Sequence, residues 1–234
     1  MPYFKNIDIL FIHIPFTNCN CIELYISKKY NISLDNHSLL DDNIVLDNHL
    51  DNKIVNNTKR ILDNHSIDNI VLDNNKLYDN HLLQHLTYLQ LYNNRNKFKI
   101  NFNKKLKIFS FVMNPYIRIL NDLYYFKYIT LDMDKKDIEY NIEEYINNKH
   151  LFEFCKIPQY KYLVNDENIL LHKDIIILKY ENIMNEMKNL GFKDFYYKNQ
   201  IQFMDYKKYL TEKSIDIINN YYHLDFTLFT YEKI

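Results

Sequence analysis

Asp8-Ile9-Leu10-Phe11-Ile12-His13-Ile14, followed by Pro15 and the helix-compatible stretch Cys21 to Lys29, decides how the chain folds. A short run rich in β-branched and aromatic residues, stopped by proline and continued by a helical pattern, predicts strand, loop, helix. The same unit recurs. Leu106 to Met113 (LKIFSFVM) predicts a buried strand, Asn114-Pro115 breaks it, and Tyr116 to Tyr128 carries helical periodicity with Pro115 suited to the first turn. A third apolar strand is expected at Ile175 to Leu178, leading into a helix over Glu181 to Leu190 that Gly191 would cap. Further helices are expected over Lys135 to Asn148 and from Thr211, as N-cap, to Tyr222. Strands alternating with helices imply an α/β protein with a mostly parallel sheet.

Length and composition set the bounds. The 234 residues fit a single domain, with an insertion at about 31–80. There the text nearly repeats itself: DNHS occurs at Asp35 and Asp63, and DNIVLDN at Asp42 and Asp68. Two imperfect copies are too few for a solenoid. The segment has nine aspartates against four Lys or Arg, a net of −5, which leaves the rest of the chain at +4. Its Asp-Asn-His clusters invite a metal-binding reading, and repeat slippage in an AT-rich gene explains the same letters without one. No metal is assigned.

The formal net charge of −1 offers no overall pull toward nucleic acid, so neither nucleic acid nor membrane is expected as a partner unless a local patch supplies the charge. Such a patch has a candidate in Arg95, Lys97, Lys99, Lys104, Lys105 and Lys107, interleaved with Phe98 and Phe102. It suits an acidic glycan or an adenosine phosphate, partners the acidic insertion, or is simply a solvated strand edge. Three cysteines, Cys19, Cys21 and Cys155, make no disulfide framework, and the C-x-C pair lacks further ligands for zinc. The apolar run Ile9 to Pro15 is too short to span a bilayer, and no signal-peptide pattern precedes it, so a cytoplasmic location is expected.

The loop after the first strand, where backbone N–H groups and a helix dipole favour phosphate, reads His13-Ile14-Pro15-Phe16-Thr17-Asn18-Cys19-Asn20-Cys21. It contains no glycine or lysine, which excludes a Walker P-loop. The segment resembles the 5′-phosphosulfate loop of carbohydrate sulfotransferases, in which His-Ile-Pro is followed by Lys-Thr, two small residues and Thr-Ser. Phe109 to Tyr125 (FSFVMNPYIRILNDLYY) is similar to the strand and helix that hold the 3′-phosphate in that family. Gln84 to Thr87, Pro158 to Leu163 and the terminal Tyr222 to Tyr231 (YHLDFTLFTY) resemble further family segments, in the same order.

The resemblance implies a three-layer sandwich with P-loop-like nucleotide-binding topology. It implies 3′-phosphoadenosine 5′-phosphosulfate (PAPS) as cofactor and a carbohydrate hydroxyl as acceptor of the sulfuryl group. Transfer of that kind rests on positioning, charge stabilisation and a base. By the same resemblance the cofactor-binding positions are Pro15, Phe16, Thr17, Asn18, Cys19, Asn20, Cys21, Met113 and Asn121, and His85 is the candidate general base. An alternative reading of His85 is an exposed histidine in a His-rich neighbourhood. His13 reads as a packed, hydrogen-bonded core residue.

Asn18-Cys19 stand where the family has two small residues, Asn20-Cys21 where it has Thr-Ser, and Asn121 where it has a serine, and two further departures remove a charge. Phe16 stands where the family has its phosphate-binding lysine, and Met113 where it has an arginine. Each lost charge-assisted bond removes about 1.5–3 kcal/mol of cofactor affinity. The sequence therefore supports two function classes: a sulfotransferase, or a catalytically silent binding or scaffold protein of the same fold that has lost PAPS.

Overall fold

The computed structural model describes residues 3–17, 20–32, 85–103, 105–147, 153–171, 173–197 and 203–234. Apart from Asn31 and Ile32, the insertion expected at 31–80 lies outside the described residues. The chain is mixed α/β, built on a four-stranded sheet in the order β1-β2-β3-β4. β1 (Tyr3–Phe4) pairs antiparallel with β2 (Ile9–Ile12). β3 (Lys107–Val112) runs parallel to β2, with Ile9 opposite Lys107 and Ile12 opposite Ser110. β4 (Ile176–Lys179) runs parallel to β3. The three parallel strands thus lead out of the same end of the sheet into His13, Met113 and Tyr180, β2 stopping two residues short of β3 and β4.

Alternation along the strands sorts the side chains onto two faces. Ile9, Phe11, Phe109, Phe111 and Leu178 belong to a larger buried cluster. It also takes Ile22 and Ile26 of α1 (Asn20–Tyr30), and Tyr116, Ile119, Leu120 and Leu123 of α3 (Pro115–Tyr125). Ile138 and Ile142 of α4 (Lys135–Asn147), Met187 of α6 (Ile183–Asn189), Ile218 of α7 (Glu212–Tyr221) and Phe226 of α8 (His223–Leu228) complete it. On the other face Leu10, Ile12, Ile108 and Val112 meet Leu91 of α2 (Tyr88–Asn93), Leu86, Ile100, Tyr162 and Leu163. A short helix, α5 (Glu153–Lys156), precedes Tyr162. A strand buried on both faces must be apolar throughout, which is why β2 and β3 read as continuous hydrophobic runs. The one hydroxyl in β3, Ser110, donates to Ile12 O at 2.7 Å and is satisfied.

Element ends differ from expectation where a backbone device intervenes. The first strand stops at Ile12 rather than Ile14, because the chain leaves the sheet toward Pro15. The helix expected to reach Tyr128 ends at Tyr125, since Lys127 adopts φ 62 and the Tyr128 N–H donates back to Leu123 O. The helix expected from Glu181 starts at Ile183, after a tight 3₁₀ turn over Tyr180–Asn182. Thr211 caps α7 as expected, its hydroxyl accepting from the Ser214 N–H, and Gly191 sits at φ 100 after α6.

Candidate functional site

The carboxyl ends of parallel strands are where open α/β sheets hold ligands. Here they carry the loop His13–Thr17 from β2 and the turn Met113–Pro115 from β3. Arg118, one turn into α3, ties the loop down: it is buried, and it donates from Nε to Pro15 O at 3.2 Å, from one terminal nitrogen to Ile157 O at 3.0 Å, and from the other to Cys155 O. A guanidinium whose donors point at three carbonyls is spent on structure.

Pro15 is buried and presents that carbonyl inward. Phe16 follows in the left-handed region, φ 58, which costs a bulky residue about 1–2 kcal/mol. Its ring is held edge-on by Tyr125 at 5.1 Å and Phe126 at 5.2 Å, contacts that offset the strain. Thr17 is buried, and its hydroxyl donates to Ile14 O at 2.8 Å, closing the loop on itself. Asn18 and Cys19 lie outside the described residues. Asn20 opens α1, and Cys21 is half-buried against the larger core cluster.

At the end of β3, Met113 is fully buried. The Gln159 carboxamide acts as a substitute strand for it. Its Oε1 accepts from the Met113 N–H at 2.8 Å, and its Nε2 donates to Met113 O at 2.8 Å. Asn121 Nδ2 points at Met113 Sδ, 3.4 Å away, so the two residues expected at the 3′-phosphate contact each other. Gln159 is itself held by Asp225, whose carboxylate accepts from the Gln159 and Tyr160 N–H groups at 2.8 and 2.9 Å. Burial raises the Asp225 pKa, and those hydrogen bonds together with Arg118 oppose the rise. Glu181 takes the next N–H, that of Asn114, at 2.6 Å, and lies 2.9 Å from the Tyr231 hydroxyl.

His85 lies at the carboxyl end of β2. It is buried, at 3% exposure, so it is not the exposed histidine that the His-rich context allowed. Its Nδ1 is 3.2 Å from His13 O, and its ring stands edge-on to the His13 ring at 4.7 Å. His13 is buried, stacks on Phe11 and pairs through Nδ1 with Glu23 Oε1 of α1 at 3.1 Å. The structure thus brings Pro15, Phe16 and Thr17 onto one loop, His85 beside it and Met113 with Asn121 on the next strand and helix.

Sequence reasoning missed Glu23, Gln159, Asp225 and Glu181 as the residues that satisfy this strand end. Gln159 and Asp225 fall inside segments that resemble the family, but nothing in their spacing joins positions 66 residues apart. It missed Asp122 as well, one turn beyond Arg118 on the same helix. Asp122 is buried, accepts from the Tyr145 hydroxyl at 3.1 Å through Oδ2, and has no partner for Oδ1. Burial pushes its pKa up to about 8, against the opposing pull of Arg118 and Tyr145.

Among the described residues no group of His, Cys, Asp or Glu is arranged to hold a metal ion, and no helix is long and apolar enough to cross a membrane. Comparison of the chain with protein-family models, with curated proteins and with solved structures gave no match.

Proposed function

We propose that this chain has a sulfotransferase-like, three-layer α/β fold of the carbohydrate type and works as a catalytically silent binding or scaffold protein that has lost PAPS. One observation carries the reading. At the position where the family resemblance calls for a cation on the 3′-phosphate, Met113 is fully buried, with both of its backbone polar groups taken by Gln159 and its sulfur facing Asn121. A phosphate entering there would meet a thioether and no positive charge, and a buried anion without a partner is strongly disfavoured. At the other end Phe16 presents an aromatic ring clamped by Tyr125 and Phe126 where a lysine would neutralise the 5′-phosphosulfate. A cytoplasmic location belongs to the same reading.

The second reading, an active enzyme transferring a sulfuryl group from PAPS to a carbohydrate hydroxyl, is favoured by His85. It sits beside the loop that begins at Pro15, with Nδ1 3.2 Å from His13 O, and an imidazole is able to take a proton from an acceptor hydroxyl. Melting curves with and without 3′-phosphoadenosine 5′-phosphate separate the two. A nucleotide present at 100 times its Kd stabilises the folded state by about 2.7 kcal/mol. The silent reading expects no shift at millimolar nucleotide; a shift of several degrees favours the enzyme.

A further inference from the structure

The opposite end of the sheet carries a feature that the phosphate crevice does not use. Lys107 is the first residue of β3, and its partner in β2 is Ile9, so the basic stretch before it lies at the amino ends of these strands, away from Met113 and Pro15. From position 80 to position 121 the sequence contains no Asp or Glu, while Arg95, Lys97, Lys99, Lys104, Lys105 and Lys107 fall inside that span.

The fold makes a shaped surface of this run. Thr87 caps α2 with a reciprocal box to Gln90, and buried Leu91 and Ile100 anchor the two ends of the turn that follows. Ile100 N–H donates to Arg95 O at 2.8 Å, and Lys99 N–H donates to Asn96 O at 3.2 Å. The chain then doubles back so that Phe102 stands edge-on to Tyr92 at 5.2 Å and to Tyr88 at 5.6 Å. Tyr92 remains 40% exposed, and the Arg95 guanidinium lies over its ring at 4.6 Å, fixed by a bond to Tyr92 O. Lys97 and Lys99, in the turn between Tyr92 and Phe102, and Lys105, just after it, are exposed, and none of them forms an ion pair with the described residues. Lys107 is excluded, because its ammonium donates to Leu190 O. Burial first, then the Asp174 carboxylate, raises the pKa of Tyr88 in this aromatic group.

We propose that this surface, formed by Tyr92, Arg95, Lys97, Lys99 and Lys105, binds single-stranded nucleic acid. Exposed cations track a phosphate backbone, and a half-exposed ring with a guanidinium plane lying over it offers a flat stacking platform to an unpaired base of any sequence. A duplex hides its base faces, and an acidic glycan shares the charge without a flat face to stack. Neither uses both halves of the arrangement. The inference is independent of the state of the PAPS crevice.

Fluorescence anisotropy of the full chain with a labelled oligothymidylate of about 20 nucleotides tests it. With four phosphate contacts, log K is expected to fall with log salt at a slope of about −3, and the triple variant K97Q/K99Q/K105Q is expected to reduce that slope to about −1. Tyr92→Ala is expected to weaken binding about tenfold, and Tyr92→Phe to leave it unchanged. Circular dichroism of each variant confirms that it is folded. Absence of binding to the oligonucleotide at about 50 mM salt overturns the proposal. So does equal affinity for duplex or heparin with no effect of Tyr92→Ala, which would identify a general polyanion surface, and so does full affinity in the triple variant.

Discussion

Among the described residues, Asp122 is the one at which the buried polar network is left incomplete. With Oδ1 unpartnered and the carboxyl fully buried, ionisation is disfavoured in the folded chain, and the pKa rises to about 8 from an ordinary value near 3.8. Between those values the folded state holds a proton that the unfolded state has released, so stability falls as pH rises, by about 1.4 kcal/mol per unit at the steepest. Above the upper value the loss is complete; below the lower one it vanishes. Asp122→Asn keeps an acceptor for the Tyr145 hydroxyl and cannot ionise. The variant is therefore expected to gain on the wild type steadily between about pH 4 and pH 8, with a widening gap in melting temperature. A gap that stays constant across this range would mean that Asp122 is ionised throughout. Met113 makes the complementary case. Full burial of an uncharged side chain means that an arginine restored there enters a dry site, so Met113→Arg costs stability as well as adding charge.

At the scale of the elements, a chain with one glycine must turn its corners with other residues. α1 and α3 both end in a bonded pattern in which the residue just after a left-handed position donates back across the turn, at Ile32 to Ser27 O and at Tyr128 to Leu123 O. The left-handed residue of each motif is Asn31, φ 51, and Lys127, φ 62; only α6 uses glycine, Gly191. Lys127 is exposed, so Lys127→Gly is expected to relieve the backbone at no cost in packing and to stabilise the chain by about 1 kcal/mol, measured by urea denaturation. Unchanged or lower stability would show that the lysine side chain makes a contribution of its own. This is also why helix ends were misjudged by up to three residues from sequence: a lysine at a left-handed stop carries no signature. The strands were legible because burial on both faces leaves an unbroken apolar run, as in Phe109 to Val112, and the start of α7 was legible because Thr211 is a capping residue. β1 and α2 were not, since two residues of edge strand and a six-residue helix have too little periodicity to stand out.

Across the whole molecule, the strand–loop–helix units that sequence singled out place their loops at one end of the sheet, whereas Phe16, Met113, Asn121 and His85 were grouped only by resemblance to a family. The residues that satisfy this end were not legible, because Gln159, Asp225 and Glu181 reach it over separations that only the fold closes. The acidic repeats separate α1 from His85 in sequence, and removal of positions 33–80 is expected to preserve cooperative melting, provided that Ile32, which packs against the larger core, is retained. A broad, non-cooperative transition in the deletion variant would make the segment part of the core. Calorimetric titration of the wild-type chain with 3′-phosphoadenosine 5′-phosphate tests the proposal that the crevice at the carboxyl ends of the strands, sulfotransferase-like by resemblance, no longer receives the nucleotide. No detectable heat of binding at millimolar nucleotide is expected; saturable binding in the micromolar range overturns the proposal.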